Sequence, residues 1–176
     1  MARRVMLALC AAAVLVPAVA GCEGATEGTP ATSTSAAQVA LWNPCTEIPA
    51  DVLRQTGVNP SDVESGIAGV HQSGWEICTW TAPKYFMTVF STKRTVAEFR
   101  KMPENVDFRD VRIAGREGQQ YRVEGAAKDL ECEILFGARQ GSVSVKISNN
   151  AGLDGHEDPC RLVNRVAGSL VPVFPA

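Results

Sequence analysis

Six cysteines and two histidines are the scarce side chains in this 176-residue chain whose types most readily do covalent, metal or acid–base chemistry near neutral pH. They are Cys10, Cys22, Cys45, Cys78, Cys132 and Cys160, with His71 and His156. A thiolate metal site needs closely spaced pairs, and no Cys-x-x-Cys occurs. Nor is there a Gly-x-Ser-x-Gly elbow, a His-Glu-x-x-His helix, a phosphate loop or a dinucleotide fingerprint. His71 lies beside Gln72 and Ser73 in a polar connection and reads as a solvated loop residue rather than a base. The stretch "LDGHEDPC" (153–160) gathers Asp154, His156, Glu157 and Asp158, which could ligate a cation. Its spacing is not that of a calcium loop, however, and Glu157 and Asp158 suit the capping and dipole of a helix start. The expectation is therefore no catalytic residue, no metal ligand and no cofactor, with the binding residues unassigned.

Two of the cysteines lie in a different kind of segment. Arg3 and Arg4 precede an uncharged run from Val5 to Gly21, the pattern of a secretory signal peptide. A bilayer-spanning helix needs about 20 apolar residues; this run is shorter and is interrupted by Pro17. Residues Val19-Ala-Gly-Cys22 resemble the lipobox of bacterial lipoproteins, with Val19 in place of the commoner leucine. The resemblance implies that residues 1–21, with Cys10, are removed and that Cys22 becomes an acylated amino terminus carrying palmitate-type chains. Two or more chains are what stable anchoring requires. The partner implied is the membrane, and the location is the outer face of the cell membrane.

Losing residues 1–21 removes two arginines and no acid, leaving 15 basic against 19 acidic residues and a net charge of −4. That balance argues against nucleic acid, whose phosphates need a basic patch. Residues 22–40 are rich in Ala, Thr, Ser, Gly and Pro without an aromatic, and read as a disordered tether with a reach of about 25 Å. Residues 41–176 are long enough for a single globular domain with its own core.

Within that domain the elements must place whatever chemistry there is. "NPCTEIPADVLRQTG" reads as helical: Asn43 caps, Pro44 opens, Pro49 restarts the helix and Gly57 ends it. Residues 58–73 read as a polar connection. Strand-like runs follow at 75–82, 85–92, 107–114, 118–125, 130–137 and 142–149. In the last, Val143, Val145 and Ile147 share one face, with Ser142, Ser144, Lys146 and Ser148 on the other. Short links at 82–84 and 138–141 imply antiparallel hairpins. Thr95 and Glu98 form a capping box for an inserted helix that stops by Pro103, and "STKR" (91–94) before it reads as a solvated turn rather than an anion site. Asp158 and Pro159 start a last helix with Cys160, Val163, Val166, Ala167 and Leu170 on one face. The fold expected is α+β: an antiparallel sheet of about six strands packed with an N-terminal, an inserted and a C-terminal helix.

Cys45, Cys78, Cys132 and Cys160 remain, an even number in an exported domain, which predicts two disulfides and three connectivities. Cys78 and Cys132 lie mid-strand, while Cys45 and Cys160 each follow a proline in a first helical turn. Pairing like with like, Cys45–Cys160 and Cys78–Cys132, is the expectation. The Pro-Cys helix opening, the "Ile-Pro-Ala-Asp-Val-Leu" step to Gly57, the Cys78-Thr-Trp80 strand and Asp158-Pro-Cys160 together resemble a family. It is that of actinobacterial cell-envelope lipoproteins catalogued only as a domain of unknown function. The resemblance spans roughly residues 41–174, has Asn43 where the family usually has Asp, and implies export, anchoring and fold but no catalytic residue.

Trp75 and Trp80 are five apart on one strand and so point to opposite faces. One belongs in the core, and the other lies under a helix or lines a cleft; Trp42, Tyr85 and Phe86 are similar candidates. Three functions compete: a non-enzymatic envelope lipoprotein binding a protein, lipid or small ligand; a structural or antigenic surface protein; and a hydrolase using His71 or His156. The first is expected. A pocket holding a histidine beside a carboxylate and a serine would favour the third, and a surface without cleft or apolar patch the second.

Overall fold

The structure is a computed structural model that describes residues 40–176; the stretches read as signal peptide and, up to residue 39, as tether, with Cys10 and Cys22, lie outside the described residues. Asn43 accepts from the Cys45 N–H at 2.9 Å, and Pro44 opens helix α1, Pro44–Glu47. Pro49 cannot donate a helical hydrogen bond and holds the residue before it extended, with Ile48 at ψ 118°. The chain restarts as α2, Ala50–Gln55, and leaves it through Gly57 at φ +86°, where a side chain would be strained.

Seven strands follow: β1 (Val63–Ser65), β2 (Trp75–Thr81), β3 (Tyr85–Thr92), β4 (Asn105–Ile113), β5 (Arg116–Val123), β6 (Glu131–Ala138) and β7 (Gly141–Asn149). All pairings are antiparallel, in the order β1-β2-β3-β7-β6-β5-β4. The expected six strands are thus seven, because β1 falls inside the stretch read as a connection. All three of its residues are exposed, so no buried-and-exposed alternation could mark it; pairing with β2 makes it a strand. The inserted helix α3 is a single turn, Val96–Phe99, with the Thr95–Glu98 capping box formed. Of "STKR", Ser91 and Thr92 are buried at the end of β3, and Lys93 and Arg94 are the exposed part, so only half of it is a solvated turn. Helix α4 runs Pro159–Leu170 from its Asp158 cap into a 3-10 turn, Val171–Val173.

One sheet face carries Cys78, Trp80, Met87, Val89, Cys132, Ile134 and the Val143–Val145–Ile147 row, all buried with Leu162, Val163, Val166, Ala167 and Leu170 of α4. Apolar burial of this kind is the main stabilising term, worth about 25 cal/mol per Å². The disulfides differ from expectation: Cys45 bonds Cys78 and Cys132 bonds Cys160, at Cα separations of 5.3 and 5.0 Å. Cys78 on β2 and Cys132 on β6 share a face, but β3 and β7 lie between them. Three strand spacings of about 4.8 Å put them about 14 Å apart, twice the reach of a disulfide. Each bridge instead pins a helix opening to the strand beneath it.

Candidate functional site

The other sheet face is the more informative one. Cross-strand register aligns Ile77, Phe90, Ser144 and Leu135 in one row, and Thr79, Thr88, Lys146, Glu133 and Tyr121 in the next. The alternating pattern of β7 marks Ser144 as solvent-facing, yet it is buried. Among the described residues α3, Met102 just beyond it and the β1–β2 loop pack on this side. Phe99 of α3 packs with Tyr121 and Leu135 as a second, small core. Beside it a hollow of about 330 Å³ stays open, within the usual range of ligand pockets.

Its walls are rings. Trp75 stands edge-on to Phe90 at 6.2 Å and to Phe99 at 6.0 Å, and Phe99 is 6.3 Å from Tyr121. Ile77, Tyr121 and Glu133 line it from the sheet, with Ile67 and Gln72 at the lip. The lip is a tight return: Gly66, at φ +75°, lets Ile67 and Val70 exchange backbone hydrogen bonds at 2.9 and 3.0 Å. A Cβ on Gly66 would stand 2.2 Å from the Val70 carbonyl oxygen. Gln72 Oε1 also accepts from the Ile67 N–H at 2.9 Å, and Thr92 Oγ1 donates to the Gly74 carbonyl at 3.0 Å, tying the loop to β3. Ile67 and Val70 are 58 % and 63 % exposed at its tip, an apolar lip beside an apolar hollow.

Glu133 is the unusual member, a carboxyl only 8 % exposed. Burial pushes its pKa up, because the charged form is poorly solvated there; hydrogen bonds with Ser144 and Tyr121 and the charge of Lys146 pull the other way without prevailing. Burial also raises the Tyr121 phenol, with Glu133 adding to the shift. Tyr121 stacks on Phe108 at 5.2 Å, which holds its ring.

A second hollow, of about 220 Å³, holds His156 with Tyr85, Asn149, Glu157 and Arg165. His156 Nδ1 is buried there without a hydrogen-bond partner. The neighbouring carboxylate is engaged, Glu157 Oε2 accepting from Arg165 at 2.5 Å. Tyr85 donates its hydroxyl to the Thr56 carbonyl, and burial raises its pKa. Among the described residues its lining includes no serine, threonine or cysteine. His71 is exposed and lines neither hollow. Of the acidic residues near His156, Asp158 caps α4 by accepting from the Arg161 N–H at 2.9 Å. Among the described residues no three His, Cys, Asp or Glu side chains stand together as metal ligands.

The aromatic residues divide as strand parity requires. Trp80 is buried in the main core and Trp75 walls the open-face hollow. Trp42 packs edge-on to Phe174 at 5.6 Å, Tyr85 lines the His156 hollow, and Phe86 is exposed. Sequence reasoning missed Phe90, Phe99, Tyr121 and Glu133. The signal for Glu133 was there: a lone charge within Cys132-Glu133-Ile134-Leu135-Phe136, otherwise a buried run.

No curated protein and no solved structure matches the chain. Among protein families there is a match over residues 17–173, almost the whole chain. The chain belongs to the family described as protein of unknown function (DUF3558).

Proposed function

We propose that this chain is a lipid-anchored lipoprotein on the outer face of an actinobacterial cell membrane, and that its domain binds a small ligand in the Glu133 hollow without catalysing a reaction. The Val19-Ala-Gly-Cys22 junction supports the anchor, and the low-complexity stretch after it supports a tether to the membrane. The observation that carries the binding role is a buried carboxyl turned toward an aromatic-walled hollow. A carboxyl so placed is costly to bury and stabilises a fold less than an apolar side chain of its volume. Its position makes sense as a polar anchor for a ligand that fills the apolar space around it. The hollow and its apolar lip weigh against a purely structural surface protein. Among the described residues the lining of the His156 hollow holds no serine or cysteine beside the imidazole, which weighs against a serine- or thiol-dependent hydrolase.

The test is a titration of the full chain with a diverse small-molecule set, read by tryptophan emission and by melting temperature. A true ligand shifts the emission, raises the melting temperature by mass action, and loses the emission change in Trp75→Phe. A set that produces no Trp75-dependent change counts against the pocket.

A further inference from the structure

We infer that the Glu133 hollow takes a small organic cation, an ammonium group bearing apolar substituents, with the charge against the Glu133 carboxyl and the substituents among Trp75, Phe90 and Phe99. This rests on the binding reading above and names its ligand class. Two properties of the hollow point the same way. Ring faces are electronegative at their centres and attract cations held within about 6 Å, and three of the walls are rings, Phe90 and Phe99 each set roughly perpendicular to Trp75 at interplanar angles of 79° and 83°. Lys146 already places its ammonium 5.9 Å from the centre of the Phe90 ring.

The second property is an acid without a salt bridge of its own, although the Lys146 ammonium stands opposite it across the strands. The groups facing Glu133 are the hydroxyls of Tyr121 on β5 and Ser144 on β7, the ammonium of Lys146 on β7, and its neighbour Glu131 on β6. Lys146 pairs with Glu131, at 4.0 Å, and among the described residues no cation forms an ion pair with Glu133. No lysine or arginine lines the hollow. An anion entering it would meet an acid and ring faces, all unfavourable. A neutral apolar guest would bury Glu133 further and leave its charge without compensation. A cation supplies the missing partner and favours the charged form of the carboxyl, so that the ion pair forms inside the hollow.

The experiment uses the full chain and three probes of one shape: choline, its uncharged carbon isostere dimethylbutanol, and the anion dimethylbutyrate. Calorimetry is run across a range of pH. Choline is expected to bind at least about tenfold more tightly than dimethylbutanol, as a desolvated cation–ring contact with an ion pair requires. Its binding should weaken as the pH falls, since a protonated Glu133 offers no charge to pair. Glu133→Gln should remove at least about tenfold of the choline affinity and leave dimethylbutanol unchanged. Trp75→Leu, which keeps an apolar wall and does not touch the acid, should also cost choline selectively. Equal or tighter binding of dimethylbutanol or dimethylbutyrate overturns the cation while sustaining the pocket. Choline binding unaltered in a folded Glu133→Gln also overturns it. Absence of binding by all three probes overturns the cation, and the broader titration above then decides the pocket.

Discussion

Tyr121 and Glu133 stand directly opposite each other on β5 and β6, both buried, on the sheet face turned away from α4. The Tyr121 hydroxyl pulls the Glu133 pKa down against the effect of burial, so the polar centre of the open face is a cross-strand pair rather than a loop constellation. Replacing Tyr121 with Phe keeps the stack on Phe108 and removes one partner of a buried carboxyl. The expected loss is about 1–3 kcal/mol of stability, read by chemical denaturation, with the Glu133 titration moving further upward by carboxyl NMR. A Tyr121→Phe variant as stable as the parent, with Glu133 titrating unchanged, would show that the Tyr121 hydroxyl carries no weight.

Stability should depend on pH through Glu133. Its folded pKa is raised by burial, so between the unfolded and folded values the native state holds the extra proton. Stability from this group is then greatest below the unfolded carboxyl value, about 4.3, and falls as the pH climbs through the window up to the folded pKa. Glu133→Gln does not titrate and should lose less stability across that window. Melting curves of both proteins from acid to neutral pH check this; parallel curves refute it.

Peptide mapping without reduction should recover Cys45 joined to Cys78 and Cys132 joined to Cys160. The bridges close stretches of 33 and 28 residues, each worth about 3.6 kcal/mol in the chain-entropy account. Cys132→Ala with Cys160→Ala should therefore lower stability by roughly 2–4 kcal/mol and loosen the opening of α4. A peptide joining Cys45 to Cys160 would contradict the architecture of the helical layer.

For the anchor, Cys22→Ala should abolish lipid labelling and shift the protein from the detergent phase to the aqueous phase, since the proposed acyl chains have no other attachment point. Labelling that persists in this variant would remove Cys22 from its role.

Replacing both His71 and His156 with Ala should leave ligand affinity within about 1 kcal/mol of the parent, the scale of substitutions away from a site. His71 is exposed, and His156 lies in the other hollow. Loss of affinity or of cellular phenotype in a folded double variant would transfer the function to the His156 hollow and revive the hydrolase.

Residue order alone made the local structure legible. Asn43 and Pro44, the Thr95–Glu98 box, and Asp158 with Pro159 start their helices where short-range capping says they must. Strand alternation sorted Val143, Val145 and Ile147 to the core and sent Trp75 and Trp80 to opposite faces. Family membership was legible for the same reason, since the motifs that carry it are caps and cysteines. The tertiary structure alone decided the rest. Strand order put β3 and β7 between Cys78 and Cys132, which sent each to a helix instead of to its likeness. Strand β1 exists only because β2 offers it an edge. The Glu133 hollow joins residues from the β1–β2 loop, β2, β3, α3, β5 and β6. Periodicity tells which face of its own strand a residue occupies; which distant residues share that face is set by register and strand order, and those are long-range properties.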